Sequence, residues 1–160
     1  MAGTATSRDF IGRAARVHGV VRQLDSRSEV AVLDLLHCAG RPAVPNQSFR
    51  LAGQFTLSAA AWTTGLFVAN ELRGVIRAGD VLRGGPVEAE LFVDEAWRRR
   101  GIGSMLLKAT LDWARRGEAA TLRFVCDRND WPMRHFAEKF EARLDLVFGQ
   151  MVADIPLERQ

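Results

Sequence analysis

The stretch VDEAWRRRGIGSMLL, residues 93–107, decides how this chain is organised. Before it, residues 87–93 place Val87, Ala89, Leu91 and Val93 on one face and Glu88, Glu90 and Phe92 on the other, which is typical of a half-buried strand. After it, apolar residues recur at helical spacing as far as Trp113, and Gly117 ends the helix. The stretch is therefore a basic, glycine-containing loop that leads from a strand into a helix.

A loop of this kind is suited to binding an anion. The first backbone N–H groups of a helix have no partner within it, and the helix dipole favours negative charge beside them. Gly101 and Gly103 let a ligand approach those N–H groups without a Cβ in the way. Arg98, Arg99 and Arg100 add positive potential. The sequence thus predicts a site for a phosphate-bearing ligand.

Two common phosphate motifs do not fit the loop. The GxxxxGK[ST] pattern is absent from the chain, and the dinucleotide fingerprint GxGxxG would need a glycine where Leu106 stands. The formal net charge of +3 agrees with an anionic ligand, whereas nucleic-acid binding usually needs denser basic stripes with exposed aromatic residues. We therefore expect no nucleic-acid partner.

Length and composition indicate one ordinary globular domain. The 160 residues, 48% hydrophobic and 26% charged, predict a flexible leader over residues 1–12 and a single domain over 13–160. No apolar run approaches the roughly 20 residues that span a bilayer, and the N-terminus lacks the apolar segment of a signal peptide, so we expect no membrane partner and a cytoplasmic protein. Two distant cysteines and no HExxH or CxxC motif predict no metal site.

Hydrophobic periodicity predicts an α+β fold with one mixed sheet. Trp97 and Trp131 are expected to pack in the core. Residues 46–61 are ambiguous and are assigned to neither a helix nor a strand. The predicted strands cover about 16–24, 65–70, 72–82, 87–93, 121–126 and 143–157, and the predicted helices about 26–40, 104–116 and a segment from 131.

Residues 93–107 closely resemble motif A of the GNAT acetyltransferases. In that family an Arg/Gln-x-x-Gly-x-Gly/Ala loop binds the diphosphate of coenzyme A, and Arg98, Gly101 and Gly103 match it. Residues 21–25 and 129–140 also resemble segments of the family. The resemblance implies the GNAT fold, in which helices flank one central mixed, mostly antiparallel sheet.

The resemblance further implies that the protein is an acetyl-CoA-dependent N-acyltransferase. A primary amine, on a small molecule or a protein, would attack the acetyl group of acetyl-CoA directly in a ternary complex. Homodimers are common in the family, although no residue of the sequence argues for one. The residues implied in cofactor binding are Leu91, Phe92, Val93, Arg98, Arg99, Arg100, Gly101, Ile102, Gly103, Ser104, Asn129, Asp130 and Met133.

The reaction needs a group that removes a proton from the amine. An alkylamine has a pKa of about 10.4, so supplying its neutral form at pH 7 costs about 4–5 kcal/mol. Glu88 and Glu90 on the predicted strand, and then Asp127, are the candidate bases. The alternative for the two glutamates is a structural ion pair with Arg73, Arg77 or Arg83.

One family residue is missing. Many GNAT enzymes carry a tyrosine that is thought to protonate the departing thiolate. Ala137 falls at its place, and the chain contains no tyrosine. The alternative function is therefore a catalytically weakened acyl-CoA-binding or regulatory module.

Overall fold

The computed structural model describes residues 8–11, 17–24, 62–81 and 83–157. The helix predicted over residues 26–40 and the unassigned segment 46–61 lie outside these ranges. Within them, no helix is long and apolar enough to cross a membrane.

The described residues form eight strands and two α-helices. The sheet has the order β1-β2-β3-β4-β5-β6-β8-β7, and every neighbouring pair is antiparallel except β5–β6. The prediction of an α+β fold with one mixed, mostly antiparallel sheet is confirmed. The elements are β1 (Arg8–Ile11), β2 (His18–Gln23), β3 (Trp62–Val68), β4 (Glu71–Ala78), β5 (Pro86–Val93), α1 (Ile102–Arg116), β6 (Thr121–Asp127), α2 (Trp131–Lys139), β7 (Arg143–Val147) and β8 (Gln150–Pro156).

One strand differs from the sequence expectation. Within the segment predicted as a flexible leader, β1 pairs antiparallel with β2. Four residues are too few to give a clear alternation, so composition alone did not reveal the strand.

The predicted alternation of β5 is confirmed in its first half, whereas Phe92, on the face of the glutamates, is buried as well. Val87 and Ala89 are buried, and Leu91 and Val93 are packed against the same hydrophobic core. Helix α1 covers this face and contributes several fully buried side chains to the core, among them Leu106 and Leu107. The opposite face of β5 carries its two glutamates.

Two tryptophans hold α1 against the sheet. The rings of Trp62 on β3 and Trp113 on α1 are stacked, with centroids 5.3 Å apart and planes inclined by 16°. Such a pair stabilises a fold by about 0.5–1.5 kcal/mol beyond the burial of its area. The stack fixes the C-terminal half of α1.

The single parallel pair creates an opening in the sheet. Strands β5 and β6 are paired only where Pro86, Val87 and Glu88 meet residues 121–123. Beyond that point β5 continues to Val93 and β6 to Asp127 without pairing to each other. A gap therefore lies between the carboxyl ends of two parallel strands, which is where ligands bind in many α/β sheets.

Candidate active site

The hydrogen bonds of β5 to β4 determine which of its backbone groups face the gap. At one end of this ladder the N–H of Asp94 donates to the carbonyl of Arg73 over 2.9 Å. At the other end the N–H of Gly79 donates to the carbonyl of Glu88 over 2.9 Å. Because bonding alternates along an antiparallel pair, the even-numbered residues of β5 bond to β4.

Leu91 and Val93 therefore direct their backbone groups away from β4 and into the gap, while Phe92 directs its own to β4. The carbonyl of Val93 accepts a hydrogen bond from Nε of Arg98 over 3.2 Å. The N–H of Val93 and both backbone groups of Leu91 then form the β5 edge of the gap. Of the three β5 residues predicted to bind the cofactor, Leu91 and Val93 have the suitable orientation.

The loop after β5 is held by Asp94 and Trp97. Asp94 accepts the N–H of Ala96 over 3.2 Å and a hydrogen bond from Nη1 of Arg73 over 3.1 Å. The guanidinium groups of Arg73 and Arg100 each lie 4.8 Å from the centroid of the Trp97 ring. Residues 95–97 form a 3-10 turn that Asp94 caps. Trp97 packs against the edge of the core, as expected.

Two residues of left-handed conformation reverse the chain before α1 begins. Arg99 has φ 60° and Gly101 has φ 84°. Glycine adopts this conformation without the steric cost that other residues incur. The reversal places the start of α1 beside the end of β5. All three arginines of the loop are exposed.

The start of α1 presents backbone N–H groups. Gly101 occupies the position before the helix, and no side chain in the described part of the chain caps it. The first helical bond runs from the N–H of Met105 to the carbonyl of Gly101 over 3.0 Å. The N–H groups of Ile102, Gly103 and Ser104 precede that bond and are available to an anion.

Helix α2 lies close to this helix start. A Cβ at Gly103 would come within 3.3 Å of both Leu91 and Phe136, so glycine allows α1, α2 and β5 to approach one another. Nζ of Lys139 lies 3.3 Å from Oγ of Ser104. Lys139 is absent from the predicted site residues, because its proximity to Ser104 arises only from helix packing.

The beginning of α2 is organised by two aspartates. Asp127 accepts the N–H of Asn129 over 2.8 Å, and Asp130 caps α2 by accepting the N–H of Met133 over 3.1 Å. The predicted base Asp127 is the exposed last residue of β6, and its carboxylate accepts a backbone N–H. Trp131 is 55% exposed, so the expectation that it packs in the core is wrong. Trp131 is the first residue of α2, and its side chain faces solvent and not the core.

Among the described carboxyl groups, Glu90 has the pKa that its environment shifts most. Burial raises its pKa from 4.5 to about 7, and the negative charge of Glu88 adds to this rise. Arg77, which lies opposite Glu90 on β4, opposes the rise. The net shift of the pKa is upward because dehydration of the ionised carboxylate costs more free energy than its attraction to the partly exposed Arg77 guanidinium provides.

The other candidate partners of the glutamates are engaged elsewhere. Arg73 forms ion pairs with Asp94 and Glu71, and Arg83 forms one with Glu118. Of the three arginines proposed as structural partners, Arg77 is the one beside Glu90.

Glu88 occupies a different position on the same face. It is exposed and lies opposite Arg123 at the last pair before β5 and β6 separate. Arg123 binds Asp154 of β8 in a bidentate manner, with distances of 2.7 and 2.8 Å, and this hydrogen bonding is the main cause that raises the pKa of Arg123. Glu88 thus lies at the closed end of the gap.

A family model described as the acetyltransferase (GNAT) family matches residues 30–141. This chain belongs to that family. The match covers the strand, loop and helix described above, and it extends into segments outside the described residues. No curated protein is a significant match to the chain.

Solved structures share the GNAT fold at low sequence identity. The GNAT domain of PAT from S. lividans superposes with a TM-score of 0.78 at 14% identity, covering 94% of this chain and 97% of that one. The ribosomal-protein-S18-alanine N-acetyltransferase of Escherichia coli gives 0.71 at 14% identity, covering 89% and 96%. The protein yncA of Salmonella typhimurium, solved with its cofactor acetyl-CoA, gives 0.70 at 14% identity, covering 89% and 95%.

The residues of this GNAT site fit a diphosphate. Three successive N–H groups at the start of α1 and three exposed arginines supply donors and positive charge, and Gly101 keeps the approach open. Among the described residues, no group of three or more His, Cys, Asp or Glu is placed to hold a metal ion.

Among the described residues, neither Ala137 nor the buried Cys126 replaces the acid of the tyrosine position. Ala137 is fully buried on α2. Cys126 is buried on β6, where its thiol donates to the carbonyl of Met151 over 3.8 Å. Burial, with smaller contributions from Asp130 and Asp127, raises the pKa of this thiol to about 12. Cys126 therefore remains protonated at neutral pH and is not a nucleophile.

Proposed function

We propose that this protein transfers an acetyl group from acetyl-CoA to a primary amine, which attacks directly in a ternary complex while Glu90 accepts its proton. One observation carries the proposal. Glu90 is a half-buried carboxyl group with a pKa of about 7, on the strand whose next residues border the gap. A base with this pKa is substantially ionised at neutral pH and still binds the proton it receives.

The loop and the start of α1 hold the cofactor in this proposal. The N–H groups of residues 102–104 and the charges of Arg98, Arg99 and Arg100 bind the diphosphate. The backbone of Leu91 and Val93 binds the pantetheine arm as a neighbouring strand would. Asn129, Asp130 and Met133 border the same space from the start of α2. Acetyl-CoA supplies the activated acetyl thioester.

The two remaining carboxylates have lesser roles. Interaction with Glu88 raises the pKa of Glu90, which favours uptake of a proton by Glu90. Asp127 holds the N–H of Asn129 and is the weakest candidate base. Water, or the ammonium that forms on the attacking nitrogen in the tetrahedral intermediate, supplies the proton to the thiolate, because a thiol with a pKa near 8.5 leaves without strong assistance.

A second candidate function follows from Ala137. Its methyl group is fully buried where many GNAT enzymes place a tyrosine, so a protein that binds acyl-CoA without efficient transfer fits the same site. For the enzyme, the acceptor is an amine on a small molecule or a protein. A cytoplasmic location stays a prediction of the sequence.

Two measurements distinguish these functions. Calorimetric titration with acetyl-CoA measures binding, and release of free coenzyme A thiol in the presence of small amines and peptide N-terminal or lysine amines measures turnover. Binding with amine-dependent thiol release supports the enzyme, and loss of that release in Glu90→Gln with retained binding assigns the base. Binding without release on any amine favours the binding module. Absence of binding refutes both.

A further inference from the structure

Strand β3 carries two neighbouring threonines whose side chains lie on opposite faces of the sheet. Both are buried, with Thr63 2% exposed and Thr64 1% exposed. Thr64 donates a hydrogen bond from Oγ1 to the carbonyl of Arg22 over 2.7 Å. Oγ1 of Thr63 is buried as well, and among the described residues no group forms a hydrogen bond with it. The two threonines therefore differ in whether the protein satisfies the hydroxyl group.

The hydroxyl group of Thr63 is not needed for packing. Valine has nearly the same shape and is equally suited to a strand. A buried hydroxyl group without a partner loses its hydration without compensation, and valine would avoid that cost. Thr110, another buried threonine, has its Oγ1 bonded to the carbonyl of Leu106 over 3.0 Å. The exception at Thr63 indicates that its hydroxyl group binds something other than the protein.

The strand register places Thr63 in one row with Glu90. Thr63 lies opposite Arg77 of β4, and Arg77 lies opposite Glu90 of β5. Residues that are opposite each other direct their side chains to the same face, with Cβ atoms about 4.5–5.5 Å apart. A hydroxyl, a guanidinium and a carboxyl group thus follow one another across three strands, on the face that α1 does not cover.

This row is suited to an ordered water molecule. A buried water forms about three hydrogen bonds with polar groups that otherwise lack partners. Oγ1 of Thr63 can donate or accept, the guanidinium group of Arg77 donates, and the carboxylate of Glu90 accepts. The backbones of Thr63 and Glu90 are two strand spacings apart, about 9.5 Å, so a bridging water connects groups that the short threonine side chain does not join directly.

The charged groups around Glu90 come from three strands. Arg77 faces it from β4, and Glu88 lies two residues before it on β5. Arg123 of β6 lies opposite Glu88 and is bound in a bidentate manner by Asp154. A neutral donor between Glu90 and Thr63 would act in addition to these fixed charges.

We propose that the hydroxyl group of Thr63 holds an ordered water molecule that donates a hydrogen bond to the carboxylate of Glu90. Thr63 is then a positioning residue, which acts on Glu90 through this water. A hydrogen bond to the ionised form of a carboxyl group favours that form. The effect on catalysis rests on the proposed function, in which Glu90 is the base, whereas the bound water does not.

The variant Thr63→Val removes the hydroxyl group and keeps the shape of the side chain. We expect it to raise the pKa of Glu90 by about 0.5–1 pH unit, because the ionised carboxylate loses a donor. NMR titration of ¹³C-labelled glutamate carboxyl groups measures this pKa in the free protein, and Glu90→Gln assigns the signal. Thr63→Ser keeps the hydroxyl group and should keep the wild-type pKa. Thr64→Val, the matched control on the opposite face, should also keep it.

Acetyl transfer provides a second readout. In Thr63→Val the rise of kcat/KM should move to higher pH by the same amount as the pKa of Glu90, and KM for the amine at pH 9 should not change. A higher KM with an unchanged pKa would mean that the hydroxyl group contacts the acceptor, which would overturn the proposed water. If the wild type transfers no acetyl group, the proposed function fails, and the titration in the free protein still decides this inference.

A crystal structure of the wild-type protein that shows ordered waters tests the geometry, and it does so even if Thr63→Val fails to fold. We expect a water within about 3.2 Å of both Oγ1 of Thr63 and a carboxylate oxygen of Glu90. Circular dichroism establishes that each variant retains the fold. A structure without that water, or an unchanged pKa of Glu90 in folded Thr63→Val, would overturn the proposal.

Discussion

At the scale of single residues, the pH dependence of the reaction depends on Glu90. A base acts in its ionised form, so kcat/KM should rise with pH through about 7, the pKa of Glu90. Glu90→Gln should remove this rise and lower kcat about 10²–10⁴-fold. The measurement is kcat/KM for one amine from pH 5.5 to 9.

Neighbouring charges provide matched controls for this profile. Glu88 raises the pKa of Glu90, so Glu88→Gln should move the rise to lower pH. Arg77 lowers that pKa, so Arg77→Met should move the rise to higher pH. If both variants kept the wild-type profile, the group that titrates would not be Glu90.

The burial of Glu90 also has a cost in stability. Its pKa is raised in the folded state, so its contribution to stability is fully present below pH 4.5 and is lost as the pH rises through about 7. The free energy of unfolding of Glu90→Gln relative to wild type should therefore increase by about 1–2 kcal/mol from pH 5 to pH 8, after allowance for partial solvent screening. Urea denaturation at both pH values measures it, and an unchanged difference would contradict the pKa.

At the scale of elements, the start of α1 determines cofactor affinity. Arg99→Ala should raise the dissociation constant for coenzyme A about three- to tenfold, because it removes positive charge near the diphosphate. Pantetheine lacks the diphosphate, so its affinity should not change. Arg83→Ala removes the same charge from an exposed ion pair with Glu118 and serves as the control. Calorimetry at two salt concentrations checks both ligands, and equal losses in both arginine variants would argue against a local diphosphate site.

At the scale of the whole molecule, stability depends on the attachment of α1 to the sheet. Trp113→Ala should lower the free energy of unfolding by about 2–4 kcal/mol, since it removes a large packed side chain. The double variant with Trp62→Ala should show a coupling of about 0.5–1.5 kcal/mol from the stacked rings. The exposed Trp131 gives a control, and its replacement by alanine should cost less than about 1 kcal/mol. Additive losses at Trp62 and Trp113 would refute the stack.

Much of the fold could be predicted because its signals are local. Residues 87–93 alternate and residues 102–116 repeat at helical spacing, so each element appears within one short window. The order of strand, arginine loop and helix likewise predicted the site at the start of α1. The strand β1 and the exposed position of Trp131 could not be predicted, because both depend on which residues pack beside them.

The sequence alone supplied the fold class, the family resemblance and the two glutamates on one face of β5, because these follow from residue type and spacing along the chain. Tertiary structure alone distinguished the glutamates. Glu90 is half-buried beside Arg77, and Glu88 is exposed opposite Arg123, although both lie on the same face of β5. A pKa depends on the solvent and charges around a group in three dimensions, which sequence spacing does not specify.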